Sequence, residues 1–197
     1  MEHLSERIRS YAGKLPEGTP VAAKSLLHLG TRAALDQALS RLAERGQLIR
    51  TGRGVYLSPV TSRFGTRPPS VEQAIQAFAM QRGEVIVSSG ATAANALGLT
   101  TQVPIQSVYL TSGLTREMPI GNQLVELRHA PRWQLAFGNE PAGQVIRALA
   151  WMGPENAEET LRMLIQKLQP GVIEALVSVA PQFPTWLAQI VGRVAHG

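Results

Sequence analysis

The sequence predicts an α/β (α+β) protein, and three observations carry that prediction. Apolar residues recur at helical spacing in several stretches, short runs of β-branched residues bounded by Gly and Pro lie between them, and after Asn156 only the helical period persists. The expected order is therefore a small α/β unit, a larger mixed α/β unit, and a helical carboxyl-terminal tail.

Leu4 to Tyr11 reads as a helix that Gly13 and Pro16 end, and Thr19 to Val21 as a short strand. Ala22 to Leu29 reads as a second helix, with Leu26, Leu27 and Leu29 apolar and Gly30 as its stop. Thr31 then stands where an N-cap belongs, opening a third helix that reaches Arg45. Leu35, Ala38, Leu39 and Leu42 fall at i, i+3, i+4 and i+7 and define its buried face. From Gln47 to Leu57 the residues alternate around Thr51-Gly52-Arg53-Gly54, the pattern of a β-hairpin. Helix, glycine turn, capped helix and hairpin, in that order, make a winged helix-turn-helix spanning residues 1–59.

Residues 60–69 are punctuated by Gly65, Pro68 and Pro69 and lack apolar periodicity, so they read as a linker to a second domain at 70–197. That domain opens with a helix, Val71 to Gln81. A strand at Val85 to Val87, a helix at Ala91 to Leu97, strands at Ser107 to Leu110 and Gln123 to Arg128, and a helix from Pro141 to Trp151 follow. Thr111 to Asn122 reads as turn-rich. Asn156 and Glu159 have the spacing of a capping box ahead of Leu161, Leu164, Ile165 and Leu168, and short helices are expected near Pro170 and Pro184.

The balance of charge narrows the function. The net charge is +5, yet residues 1–67 carry 11 Lys/Arg against 5 Asp/Glu, a net of +6, while residues 68–197 carry 8 against 9, a net of −1. Positive charge confined to one domain points to a polyanionic partner for that domain. On the third helix, the small or hydrogen-bonding residues Ala33, Gln37 and Ser40 let a helix approach base edges closely. Arg32, Gln37, Ser40 and Arg41 are accordingly expected in the major groove of double-stranded DNA, with Lys24, Thr31, Arg45, Arg50 and Arg53 on the sugar-phosphate backbone. A solvated polar helix face and an ordinary surface hairpin are the competing explanations, which the co-occurrence of all three elements disfavours. The usual symmetry of operators adds the expectation of a homodimer on DNA.

Other classes find little support. The chain has no cysteine, which excludes disulfides and thiolate chemistry. His3, His28, His129 and His196 are scattered away from acidic residues at metal-ligand spacing, so no metal, cofactor or catalytic residue is expected. Ser88-Ser89-Gly90 lacks the flanking glycine of a nucleophile elbow and reads as a strand-to-helix turn. Trp133, Trp151 and Trp186 read as core residues, with a ligand or partner pocket as the other reading. No apolar run approaches the about 20 residues of a membrane-spanning helix, and the first residues lack the layout of a signal peptide, so a cytoplasmic, non-membrane protein is expected.

Arg32-Ala-Ala-Leu-Asp-Gln-Ala-Leu-Ser-Arg-Leu42, Gly46-Gln-Leu-Ile-Arg50 and Gly52-Arg-Gly-Val-Tyr56 together resemble the winged helix-turn-helix of AbiEi-type antitoxins from bacterial type IV toxin–antitoxin (abortive infection) systems. Ser89-Gly-Ala-Thr-Ala-Ala-Asn-Ala-Leu-Gly98 with Leu-Thr-Thr-Gln-Val-Pro104 is similar to the second domain of short members of that group. The resemblance implies a repressor that binds inverted repeats in its own operon. It also implies a second domain that counteracts a cognate nucleotidyltransferase-like toxin without a stable complex. Two alternatives stay open: a protein–protein interaction module with a structural winged helix, and a regulator that senses a ligand through its second domain.

Overall fold

The computed structural model describes residues 4–52, 54–102 and 105–197. The chain is mixed α/β with a helical carboxyl end, and it divides into two compact units. One consists of Met1–Glu84 with Glu117–Glu126, the other of Val85–Arg116 with Leu127–Gly197.

The first unit begins with α1 (Leu4–Gly13), β1 (Pro20–Ala22), α2 (Arg32–Glu44), β2 (Ile49–Gly52) and β3 (Val55–Leu57). The strands form an antiparallel sheet in the order β1-β3-β2, with Tyr56 opposite Val21 on one side and Arg50 on the other. The central strand β3 is buried along its whole length. Its Tyr56 joins Ile8, Val21, Leu26, Leu35, Leu39 and Leu42 in one apolar cluster. The apolar stripe of α2 thus faces α1 and the sheet, and each leucine it buries contributes about 1.5–3 kcal/mol. The order of α1, β1, α2 and the β2–β3 hairpin, called the wing below, is that expected of a winged helix, apart from one helix.

The expected helix at Ala22 to Leu29 is not formed. In its place stands a single 3₁₀ turn, Ala23–Leu26. Ala22 is still paired with Val55 in the sheet, so a helix cannot start there, and the i→i+3 bond from Leu29 N to Leu26 O, 2.7 Å, closes a turn rather than an α-helical repeat. Leu26 is buried while Leu27 is 53% exposed, so these leucines share no single face. Gly30 lies outside the left-handed region, so it does not cap a helix, and a Cβ there would make only ordinary contact with the Leu4 side chain, at 3.6 Å.

Residues 60–69, expected to be a linker, carry two strands instead. β4 (Val60–Ser62) pairs antiparallel with β5 (Gly65–Arg67), and α3 (Val71–Arg82) follows within the first unit. The Ser70 hydroxyl caps α3 by accepting from Gln73 N at 3.2 Å, and Gly83 at φ +64° closes it. The boundary between the compact units therefore falls at Glu84/Val85, after α3 rather than before it.

Further along the chain come β6 (Ile86–Ser88), α4 (Gly90–Ala96), β7 (Ser107–Thr111), β8 (Arg116–Ile120) and β9 (Gln123–His129), with strand order β6-β7-β9-β8; of these, residues Glu117–Glu126 group with the first unit. β8 occupies the stretch expected to be turn-rich. Met118 and Ile120 are buried and Glu117 and Pro119 exposed, the alternation of a half-buried strand. Pro119 argues against a central strand, but β8 is at the sheet edge, where a missing N–H is tolerated.

Five helices complete the chain: α5 (Arg132–Leu135), α6 (Pro141–Met152), α7 (Pro154–Ile165), α8 (Val172–Val179) and α9 (Thr185–His196). Val145, Ile146, Leu149, Leu161, Leu176 and Leu187 are central to their core. Trp133 packs edge-on against Phe183 there, whereas Trp151 is 45% exposed and is not a core residue. The expected capping box is absent because Pro154, with its φ already helical, starts α7 two residues before Asn156. Asn156 Nδ2 instead donates to Met152 O at 3.1 Å. Glu158 joins α7 to α9: its carboxylate accepts from Arg193 at 2.6 Å and from Arg162 of its own helix at 3.1 Å.

Candidate nucleic-acid interface

Thr31 is an N-cap, its hydroxyl accepting from Ala34 N at 3.4 Å. With Leu35, Ala38, Leu39 and Leu42 turned to the core, the 100° step of a helix puts Ala33, Gln37, Ser40 and Glu44 at the centre of the outward face of α2. Arg32 and Arg41 flank that face on opposite sides. Their surroundings differ: Arg32 Nε bonds Asp36 Oδ2 at 2.9 Å, one turn on, while Arg41 and Arg45 are exposed and form no ion pair among the described residues. Ser40 Oγ donates to Glu44 Oε1 at 3.3 Å, and Gln37 is exposed. Arg45 is the C-cap residue of α2, where a cation complements the negative end of the helix dipole.

Lys24 is exposed on the 3₁₀ turn ahead of α2. On the wing, Arg50 is exposed and its Nε donates to Gly52 O at 3.4 Å, which lays the guanidinium along the hairpin toward the turn. Gly54 supplies the positive φ, +70°, that the turn requires. Arg53 lies outside the described residues. His28 rests its ring against Tyr11, centroids 5.7 Å apart and inclined by 57°. The structure thus brings Arg32, Gln37, Ser40 and Arg41 onto one helix, sets Thr31 and Arg45 at its two ends, and leaves Asp36 and Glu44 on the same outward side.

The sequence of this chain matches the model of a family of unknown function, DUF6088, over residues 7–173. The chain belongs to the DUF6088 family. No curated protein matches it. The DUF6088 match runs from within α1 to the start of α8, so α2, the wing and α6 lie inside it and α9 beyond it.

Within that matched span, sequence reasoning missed Arg147. Its side chain is 1% exposed in the middle of α6, and no carboxylate bonds it among the described residues. NH1 donates to the carbonyls of Gly138 at 2.8 Å and Gln134 at 3.4 Å, NH2 lies 3.5 Å from Ser88 Oγ and Asn139 Oδ1, and the buried Nε has no hydrogen-bond partner. Burial pushes its pKa down to about 10, which leaves it charged at neutral pH. Phe137 at φ +58° and Gly138 at φ +54° form the left-handed corner whose carbonyl meets the guanidinium. Gly143 keeps that corner close, since a Cβ there would lie 2.4 Å from Gly138 O. A signal was present in the sequence: α6 is apolar nearly all round, so a lone arginine within it has to be interior. Arg63, 4.6 Å over the ring of the exposed Phe64 at the tip of β4–β5, was missed because its segment reads as a linker.

Proposed function

We propose that the chain is a transcriptional repressor that reads double-stranded operator DNA with α2 and steadies it with the β2–β3 wing. The observation that carries this reading is the outward face of α2, where Gln37 and Ser40 lie between two arginines on a helix anchored to a core by its opposite face. Short polar side chains at the centre let the helix sit deep in the major groove, and arginines at the flanks meet guanine edges or phosphates. Lys24, Arg45 and Arg50 add phosphate contacts, and the net +6 of residues 1–67 favours approach to any duplex. The resemblance to AbiEi-type antitoxins supports a narrower form of the same reading, in which the operator is the chain's own and a nucleotidyltransferase-like toxin is counteracted.

A mobility-shift titration against the DNA upstream of its own gene and a scrambled duplex, at two salt concentrations, tests the reading. Preferential binding that weakens as salt rises is expected, because each neutralised phosphate releases counterions. Equal affinity for both duplexes, or affinity indifferent to salt, overturns it and favours a protein–protein role for the winged helix. The narrower form is checked by co-expression: the chain should restore growth to cells carrying the adjacent toxin gene.

A further inference from the structure

A cleft of about 430 Å³ opens in the second unit, within the size range of small-molecule sites. Ser89, Arg128, His129, Gln134 and Arg147 supply its polar lining, and Val108, Leu110, Pro131 and Trp151 much of its apolar wall. None of the described residues that line it is acidic. Gly90 holds α4 against α6 at this place: a Cβ there would lie 2.7 Å from Arg147 O and 2.8 Å from Trp151 Cβ, so any larger residue would push α4 off the helix that carries Trp151. The His129 ring is fixed, with Nδ1 donating to Gly113 O at 2.8 Å and the backbone N to Thr115 Oγ1 at 2.9 Å.

Arg147 makes this more than a surface dent. A buried cation normally has an acid beside it, because neutral dipoles only partly replace the water it gave up. Among the described residues, Arg147 has carbonyl, hydroxyl and amide oxygens alone, and its Nε has no partner. Its charge is felt in the adjoining cleft, where the low-dielectric walls screen it less than open water does. Arg128, exposed on β9, adds a second positive charge to the same lining. Trp151, 45% exposed, presents part of its flat apolar ring to the same lining.

We propose that this cleft binds a small anion carried on a planar ring, either an aryl carboxylate or a nucleoside monophosphate, whose charge supplies the counter-ion Arg147 lacks and whose ring lies on Trp151. The acid group sits toward Arg128 and Arg147, and Gln134 is placed to hydrogen-bond a polar edge. The site is built from residues of the second unit alone and does not depend on the DNA-binding reading.

Calorimetric titration of the full chain with 5′-AMP, benzoate, adenosine and inorganic phosphate separates the parts. Saturable binding of 5′-AMP or of benzoate is expected, and which of the two binds identifies the acid group as phosphate or carboxylate. Adenosine and inorganic phosphate should each bind at least tenfold more weakly than 5′-AMP if phosphate is the acid recognised. Arg128→Gln and Trp151→Leu should each weaken the preferred probe at least tenfold, with the unliganded chain still unfolding in a single cooperative transition. Failure of both 5′-AMP and benzoate to bind at millimolar concentration overturns the proposal, as does binding that neither substitution alters. Inorganic phosphate binding as tightly as 5′-AMP would also overturn it, since the ring would then contribute nothing.

Discussion

Arg32 and Arg41 have the same charge and the same helix, yet their availability differs because a carboxylate lies one turn from one of them and not the other. The exposed pair Arg32–Asp36 is worth about 0.3–0.5 kcal/mol to the helix, and on the proposed function Asp36 would repel the phosphates of a bound duplex. Arg41→Ala should therefore lower operator affinity by about 1–3 kcal/mol and reduce the salt slope by about one unit. Arg32→Ala should cost less. Asp36→Asn should tighten binding and steepen the slope, which a filter-binding series at several salt concentrations would read directly; weaker binding would place Asp36 as an acceptor from cytosine instead. Thr31 contributes to folding through its cap, so Thr31→Ala should cost about 1 kcal/mol in urea unfolding.

Elements were legible where a long period ran uninterrupted. α2 was readable to within a residue or two because four apolar positions, an N-cap and a following glycine all agree, and Leu39→Ala, which empties a fully buried site on it, should destabilise by about 2–5 kcal/mol in denaturant titration. Legibility failed where tertiary pairing overrode local pattern: Ala22 went to the sheet, Pro119 found a sheet edge, and Pro154 began α7 ahead of Asn156. The DNA-reading candidates lie on one helix and its hairpin, close in sequence, so spacing could assemble them; the cleft draws on α4, β7, β9, α5 and α6, and no local pattern unites those. Packing between elements makes two further predictions. Gly143→Ala should force Gly138 away from Arg147 and cost about 1–3 kcal/mol, measured as a shift in the denaturation midpoint. Glu158, which Arg193 and then Arg162 hold below the usual glutamate range, ties α7 to α9 as a carboxylate. A depressed acid stabilises the fold while ionised, so Glu158→Gln should lower the melting temperature at neutral pH, and the gap to the parent should close as pH falls through the depressed value.

At the scale of the whole molecule, charge and connectivity are arranged differently. The basic excess belongs to the first 67 residues, while the second unit is close to neutral, so affinity for a random duplex should be a property of the first unit and fall steeply with added salt. Connectivity allows no such partition. The chain passes between the compact units at Glu84–Val85, again at Arg116–Glu117 and again at Glu126–Leu127. A polypeptide ending at Glu84 lacks the ten residues 117–126 that group with it, Gly121 among them, whose Cα lies against Pro68. It should unfold at lower urea than the same unit within the full chain, as followed by its own circular dichroism. The gene inherits the same constraint: no single crossover exchanges either compact unit intact, because each is assembled from more than one stretch of the chain.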